Sequence, residues 1–166
     1  MVTFRTVTTN DLELVQDLAY TIWQSHYPGI ISHEQIDYML RKMYNTQQIE
    51  KELKSGVRWE LVEVNGKAIG FISFHHEKEE NFVKLSKLYI LLEYHGKGYG
   101  QQTLQYVEGE AKKTGASKLY LTVNKNNEKA IKAYLKAGFI KERSEVFDIG
   151  CDYVMDDYIM AKPLNQ

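Results

Sequence analysis

An apolar segment, Phe82, Val83, Leu85, Leu88, Tyr89 and Ile90, leads within six residues into Gly96-Lys97-Gly98-Tyr99-Gly100, after which Gly100, Leu104, Val107 and Ala111 recur at intervals of four, three and four. No other segment restricts the fold so tightly. The apolar run is too hydrophobic toward its end for an exposed edge strand. The recurrence that follows is one packing face of a helix, and Gly115 can close that helix as its left-handed C-terminal residue. A strand running straight into closely spaced glycines and then a helix suits an anion. Glycine lets the backbone approach closely, and the first-turn amides and the helix dipole both point at negative charge. Phosphate is the natural guest.

The rest of the chain alternates elements around this turn. Thr3 to Val7 reads as a short strand, and Asn10 or Asp11 can cap a helix with an apolar stripe of Leu14, Val15, Leu18, Ala19 and Ile22. Ser32 and Gln35 have capping-box spacing before Ile36, Met39, Leu40 and Met43, and Thr46 to Ser55 reads as a third helix stopped by Gly56. Trp59 to Val64 and Ala68 to Phe74 then make two strands around an Asn65-Gly66 hairpin turn, with His76 to Asn81 as the next loop. Past the glycine-rich helix come a strand at Lys118 to Val123, a helix at Asn127 to Ala137 closed by Gly138, and strands at Phe139 to Phe147 and Asp152 to Ala161. This order predicts a mixed α/β sheet with helices on both faces, and no linker or repeat divides residues 1–166, so one domain is expected.

Composition excludes several classes. Hydrophobic residues at 43% are enough for a core, and no apolar run approaches the roughly 18 to 20 residues of a membrane span. The N-terminus, Met1-Val-Thr-Phe-Arg-Thr, lacks the charged-then-apolar layout of a secretion signal, so a soluble, cytoplasmic protein is expected. Cys151 stands alone, which excludes an internal disulfide and a cysteine-based metal cluster; no metal is expected. A net charge of −1 speaks against nucleic acid as a partner.

The glycine turn fails two common nucleotide patterns. A Walker loop needs a lysine after its last glycine, where Gln101-Gln102-Thr103 follows Gly100, and the dinucleotide fingerprint needs a third glycine where Gln101 stands. The segment instead resembles the acyl-CoA loop of the GNAT superfamily of N-acetyltransferases, Gln/Arg-x-x-Gly-x-Gly/Ala, aligned on His95, Gly98 and Gly100. A second stretch resembles that superfamily's Asn-x-x-Ala-x-x-x-Tyr-x-x-x-Gly-Phe at every position, with Asn127, Ala130, Tyr134, Gly138 and Phe139. The resemblance covers roughly residues 82 to 162 well and the N-terminal strand and helices more loosely. It implies a GNAT fold, with a central, mostly antiparallel sheet of about seven strands, helices on both faces, and a splay between strands four and five.

The resemblance further implies acetyl-CoA as co-substrate and a primary amine as acceptor. It assigns the cofactor to Leu88, Tyr89 and Ile90 on the fourth strand, to His95, Gly96, Lys97, Gly98, Tyr99, Gly100 and Gln101 in the loop and helix start, and to Asn127, Ala130 and Tyr134. Tyr134 is the implied general acid. A departing thiol has a pKa of about 8.5 and a tyrosine about 10, so a tyrosine can protonate the thiolate or hydrogen-bond it. The Ile90 amide would polarise the thioester carbonyl. Asn127 can cap its helix, bind a pantetheine amide, or do both.

The general base stays open. Many relatives carry a glutamate on the fourth strand where this chain has Lys84, Ser86 and Lys87; His75, His76, Glu93, His26 and Tyr27 are the alternatives. Trp23, His26, Tyr27 and Tyr38 are candidate acceptor-binding residues, with Tyr20 and Tyr44 as further aromatic faces and core packing as the alternative for most of them. The strings Tyr44-Asn-Thr-Gln-Gln-Ile-Glu-Lys-Glu-Leu53 and Tyr158-Ile-Met-Ala-Lys-Pro-Leu164 look like the bacterial spermidine/spermine N-acetyltransferase branch. A polyamine acceptor is one reading. Protein N-termini or lysines, other amines, and a non-catalytic CoA-binding module are the others, and a homodimer is compatible with all of them.

Charge is unevenly spread. Residues 1 to 94 carry 10 basic and 13 acidic groups, residues 95 to 141 carry 9 and 3, and residues 142 to 166 carry 2 and 6. The positive block coincides with both motifs, as a cofactor with three phosphates requires, and the acidic flanks suit a cationic amine.

Overall fold

The computed structural model describes residues 1–164 and orders their elements as β1 (Thr3–Thr6), α1 (Leu12–His26), α2 (His33–Tyr44), α3 (Thr46–Lys54), β2 (Arg58–Val64), β3 (Lys67–Glu77), β4 (Phe82–Ile90), α4 (Tyr99–Lys113), β5 (Lys118–Asn124), α5 (Glu128–Lys136), β6 (Ile140–Gly150) and β7 (Tyr153–Pro163), with short 3-10 turns at Thr9–Asp11 and Leu92–Tyr94. The strands form one mixed sheet in the order β1-β2-β3-β4-β5-β7-β6, and the five α-helices flank it. β4 and β5 run parallel and share three register pairs, Phe82 with Lys118, Val83 with Leu119 and Lys84 with Tyr120. β4 then continues to Ile90 and β5 to Asn124, and this is the splay expected of the fold. No helix among the described residues is long and apolar enough to cross a membrane.

Local chemistry accounts for most element ends. Asn65 at φ 51° and Gly66 at φ 78° both adopt the left-handed conformation that a two-residue type I′ hairpin demands. Ser32 Oγ accepts the Gln35 amide at 3.1 Å and starts α2. Gly115 and Gly138 follow α4 and α5 at φ 79° and 97°.

Three details depart from the sequence reading. Asp11 precedes α1 but makes no cap bond to it; its carboxylate turns back to accept the Thr8 amide at 2.8 Å and the Thr8 hydroxyl at 3.1 Å, closing the 3-10 turn instead. Leu14 is 39% exposed, because the buried stripe of α1 runs through Leu12, Val15, Leu18, Ala19, Ile22 and Trp23. β3 extends to Glu77 and takes in His76, whose Nε2 lies 2.8 Å from Asn81 Oδ1, while Asn81 itself turns the shortened loop at φ 59°.

The chain divides into two compact units, Met1–His75 with Lys87–Thr103, and His76–Ser86 with the chain from Leu104 on. Within the first, Trp23, Trp59, Phe71, Ile36, Ile49, Leu61, Ile69 and Ile72 are fully buried. Trp59 stacks on Phe71 with centroids 6.1 Å apart, and Tyr44 meets both edge-on. Within the second, Leu119, Leu121 and Met160 are the large buried side chains. Each such side chain contributes about 1.5–3 kcal/mol by leaving water.

Candidate functional site

In the first unit the site is built at the end of β4. The pairing of β2 with β3 moves from Val62–Gly70 to Glu63–Ala68, so Ile69 is an extra, bulged residue, and its carbonyl accepts the Leu91 amide at 2.8 Å. A Cβ at Gly70 would collide with the Tyr89 carbonyl oxygen and come within 3.0 Å of Ile90 Cα. Glycine there lets β3 press its backbone onto the last two residues of β4. An isolated glycine inside a strand pattern is the signal that would have found it.

Beyond Ile90 the loop is anchored by His95, whose Nε2 lies 2.7 Å from the Ile90 carbonyl oxygen. The ring thus ties the start of the loop to the end of the strand. Gly96 and Gly98 take φ 76° and 85°, where a Cβ costs about 1–2 kcal/mol. Gly100 differs. Its φ lies outside the left-handed region and a Cβ would meet nothing within 4 Å beyond its chain neighbours and its own helix backbone, so the fold itself does not require glycine there. α4 begins at Tyr99, with the Gln102 amide donating to Gly98 O at 3.1 Å and Thr103 Oγ1 donating to Tyr99 O at 2.8 Å. Lys97 is exposed, while Leu88, Tyr89, Tyr99 and Gln101 are half-buried and Ile90 is buried.

The aromatic candidates pack as one cluster. Trp23 is 1% exposed and its Nε1 donates to the Tyr44 hydroxyl at 3.2 Å, so it is core rather than a surface offered to an acceptor. Tyr27 is also buried, and its hydroxyl lies 2.9 Å from that of Tyr89, a hydrogen bond in which either can donate. His26 is half-buried with its ring edge-on to Tyr27 at 4.9 Å. Tyr38 carries Lys42 of its own helix 5.6 Å above its ring. Tyr20 is exposed, and Tyr44 is buried with its pKa pushed well above the ordinary value, chiefly by desolvation. Lys87, one of the cations found in place of a glutamate, is buried on β4 with Nζ 4.9 Å from the Trp59 ring and 5.7 Å from that of Tyr44.

In the second unit the motif residues surround the start of α5. Asn127, 6% exposed, caps the helix by accepting the Ala130 amide on Oδ1 at 3.4 Å, and its own N–H donates to Asn124 O at 2.9 Å. Asn124 Oδ1 accepts the Asn126 amide at 2.9 Å. Ala130 and Tyr134, four residues apart on one helix face, are both half-buried. The Tyr134 ring lies 5.9 Å from that of Phe139, whose amide donates to Tyr134 O at 3.0 Å.

Sequence reasoning missed Asp157. It lies on β7 directly opposite Asn124 and is 5% exposed, and its Oδ1 has no hydrogen-bond partner. Burial, reinforced by the Asp156 carboxylate, raises its pKa to about 6 against the opposing pull of Lys125 and Lys84. The available signal was its alternation with Met155, Ile159 and Ala161, which places it at an inward position of the strand. No group of three or more metal-ligating side chains occurs among the described residues.

The sequence profile of the acetyltransferase (GNAT) family matches residues 17–139. The chain belongs to that family. An uncharacterized N-acetyltransferase of Mycobacterium tuberculosis is 32% identical over 100 residues, which take in 60% of this chain and 63% of that one, so the match spans less than two thirds of that relative's length. The spermidine N(1)-acetyltransferase of Thermoplasma acidophilum is 29% identical over 157 residues, 92% of this chain and 94% of that one. Among solved structures, the PaiA N-acetyltransferase of Thermoplasma acidophilum in complex with coenzyme A aligns with a TM-score of 0.78 at 25% identity, over 98% of this chain and 99% of that one.

Proposed function

We propose that this GNAT chain moves an acetyl group from acetyl-CoA to a primary amine of a small, polyamine-like molecule by direct attack in a ternary complex, with Tyr134 as general acid. The observation that carries the reading is Gly100. The fold needs left-handed glycines at 96 and 98 but leaves position 100, in the first turn of α4, small without an internal reason. Close approach of a phosphate to the helix start supplies that reason. The coenzyme A bound to the Thermoplasma PaiA protein and the family membership both support it.

The remaining roles follow from chemistry. Asn127 caps α5 through Oδ1 alone, so its Nδ2 end serves a pantetheine carbonyl. The Ile90 amide polarises the thioester carbonyl, and His95 steadies that residue by holding its carbonyl oxygen. An alkyl ammonium of pKa about 10.4 must lose its proton at pH 7, which costs roughly 4.6 kcal/mol and calls for a base. The spermidine acetyltransferase relative and the acidic flanks favour a polyamine acceptor.

A coupled thiol-release assay across polyamines, amino acids, aminoglycosides and N-terminal peptides tests the reading. Spermidine or spermine should be turned over fastest, and no turnover on any polyamine sinks that acceptor class. Tyr134→Phe should lower kcat by about 100-fold or more. An unaltered rate and pH profile would refute the general-acid assignment.

A further inference from the structure

We propose that Asp157 is the carboxylate that receives the acceptor's ammonium group and takes its proton. The inference rests on the acetyl-transfer reading above. A buried carboxylate oxygen without a hydrogen bond is expensive, and native structures rarely leave one without a use. The neighbouring Asp156 shows the ordinary solution: it is 56% exposed and pairs with Lys125 at 2.9 Å. Asp157 points inward, and its Oδ1 stays unsatisfied.

The β5–β7 register sets Asp157 against Asn124, whose carbonyl holds the amide of Asn127, the cap of the helix that carries Tyr134. Asn124 spends its own side chain elsewhere, on the Asn126 amide and on Met155 Sδ at 4.0 Å, and so does not satisfy the Asp157 oxygen. The charged groups around Asp157 are Asp156 on its own strand, Glu145 opposite it on β6, Lys125 beyond β5 and Lys84 on β4. Phe82–Ile90 contains no acidic residue, so β4 offers no rival carboxylate. With a pKa of about 6, Asp157 is ionised at pH 7 yet a stronger base than an ordinary carboxylate.

One proton of the ammonium passes to Asp157 Oδ1 and later to solvent, leaving a neutral amine. The nitrogen lone pair forms the C–N bond to the thioester carbon as the C–S bond breaks. The departing thiolate takes the Tyr134 proton, and the second proton released by nitrogen returns to Tyr134 through water. The products are the amide, the free thiol and one proton.

The test combines kinetics with binding, using spermidine as probe. Asp157→Asn should lower kcat/KM by about 100-fold and abolish the limb of the pH profile near pH 6, with acetyl-CoA affinity within about threefold of wild type. Asp157→Glu should restore part of the loss. In the wild-type protein, saturating spermidine should lower the NMR-detected pKa of Asp157 by about one unit or more, a measurement that needs no variant to fold. Wild-type turnover with Asp157→Asn equally active, or a carboxyl titration indifferent to spermidine, overturns the proposal. Spermidine binding lost in Asp157→Asn, in a wild-type protein that turns over no amine, overturns the acetyl-transfer reading and leaves the ammonium site standing.

Discussion

Asp11 and Asp157 are the same side chain in opposite surroundings. Asp11 accepts the Thr8 amide and hydroxyl and two Arg5 guanidinium nitrogens at 3.1 and 3.2 Å, and these bonds, the Thr8 amide foremost, hold its pKa below the ordinary carboxylate range. Asp157 is more deeply buried, keeps an orphaned oxygen and titrates near pH 6. The first serves the fold. The second is a strained group in the fold, the setting expected of a carboxylate that does chemistry.

The pH dependence of stability separates the two carboxylates most strongly. The folded pKa of Asp157 is raised, so the unfolded chain releases that proton more readily and stability falls as pH rises from about 4 through about 6. Asp157→Asn should therefore stabilise the protein at pH 8 by on the order of 2 kcal/mol and do nothing at pH 3.5, as read by urea unfolding. A variant destabilised at pH 8 would show that Asp157 is structural after all.

The glycines repeat the contrast on a smaller scale. Gly98→Ala should cost about 1–2 kcal/mol because φ is 85° there. Gly100→Ala should leave stability unchanged or raise it by about 1 kcal/mol while weakening acetyl-CoA binding about tenfold or more, measured by calorimetry. Equal effects of the two substitutions on stability would remove the distinction between a glycine the fold needs and one a ligand needs. The smallest effect belongs to Asp11→Ala, a loss of about 1 kcal/mol with kcat unchanged. Because the folded pKa of Asp11 is depressed, its contribution is present above about pH 4 and disappears as pH falls below that. Denaturation midpoints at pH 7 and pH 3 for wild type and variant should differ and then converge.

Several parts of the site are legible in the amino-acid sequence because their cause is local. Asn65-Gly66 can make one kind of hairpin, Gly96 and Gly98 sit where a strand must turn into a helix, and Asn127 to Phe139 encodes its own cap, face and stop. Other parts depend on which strand lies beside which. Spacing makes Asp11 a cap for the following helix, whereas Thr8 and Arg5, brought together by the β1 edge, draw it backward. Trp23 is a candidate aromatic face for an acceptor as long as nothing says that Tyr44 will take its indole N–H. His95 stands where a longer phosphate donor is expected, and the contact with Ile90 O assigns it to the backbone.

The elements and the two motifs are written in the amino-acid order, since φ preferences, capping and helical period act within a few residues of their cause. That Gly70 must be glycine and that Asp157 keeps an unsatisfied oxygen follow from the folded arrangement instead. Both are consequences of neighbours far away in the chain: Tyr89 and Ile90 closing on Gly70, and Asn124 facing Asp157 across the sheet. A side chain's solvation and steric room are properties of such long-range pairings, which no local pattern encodes.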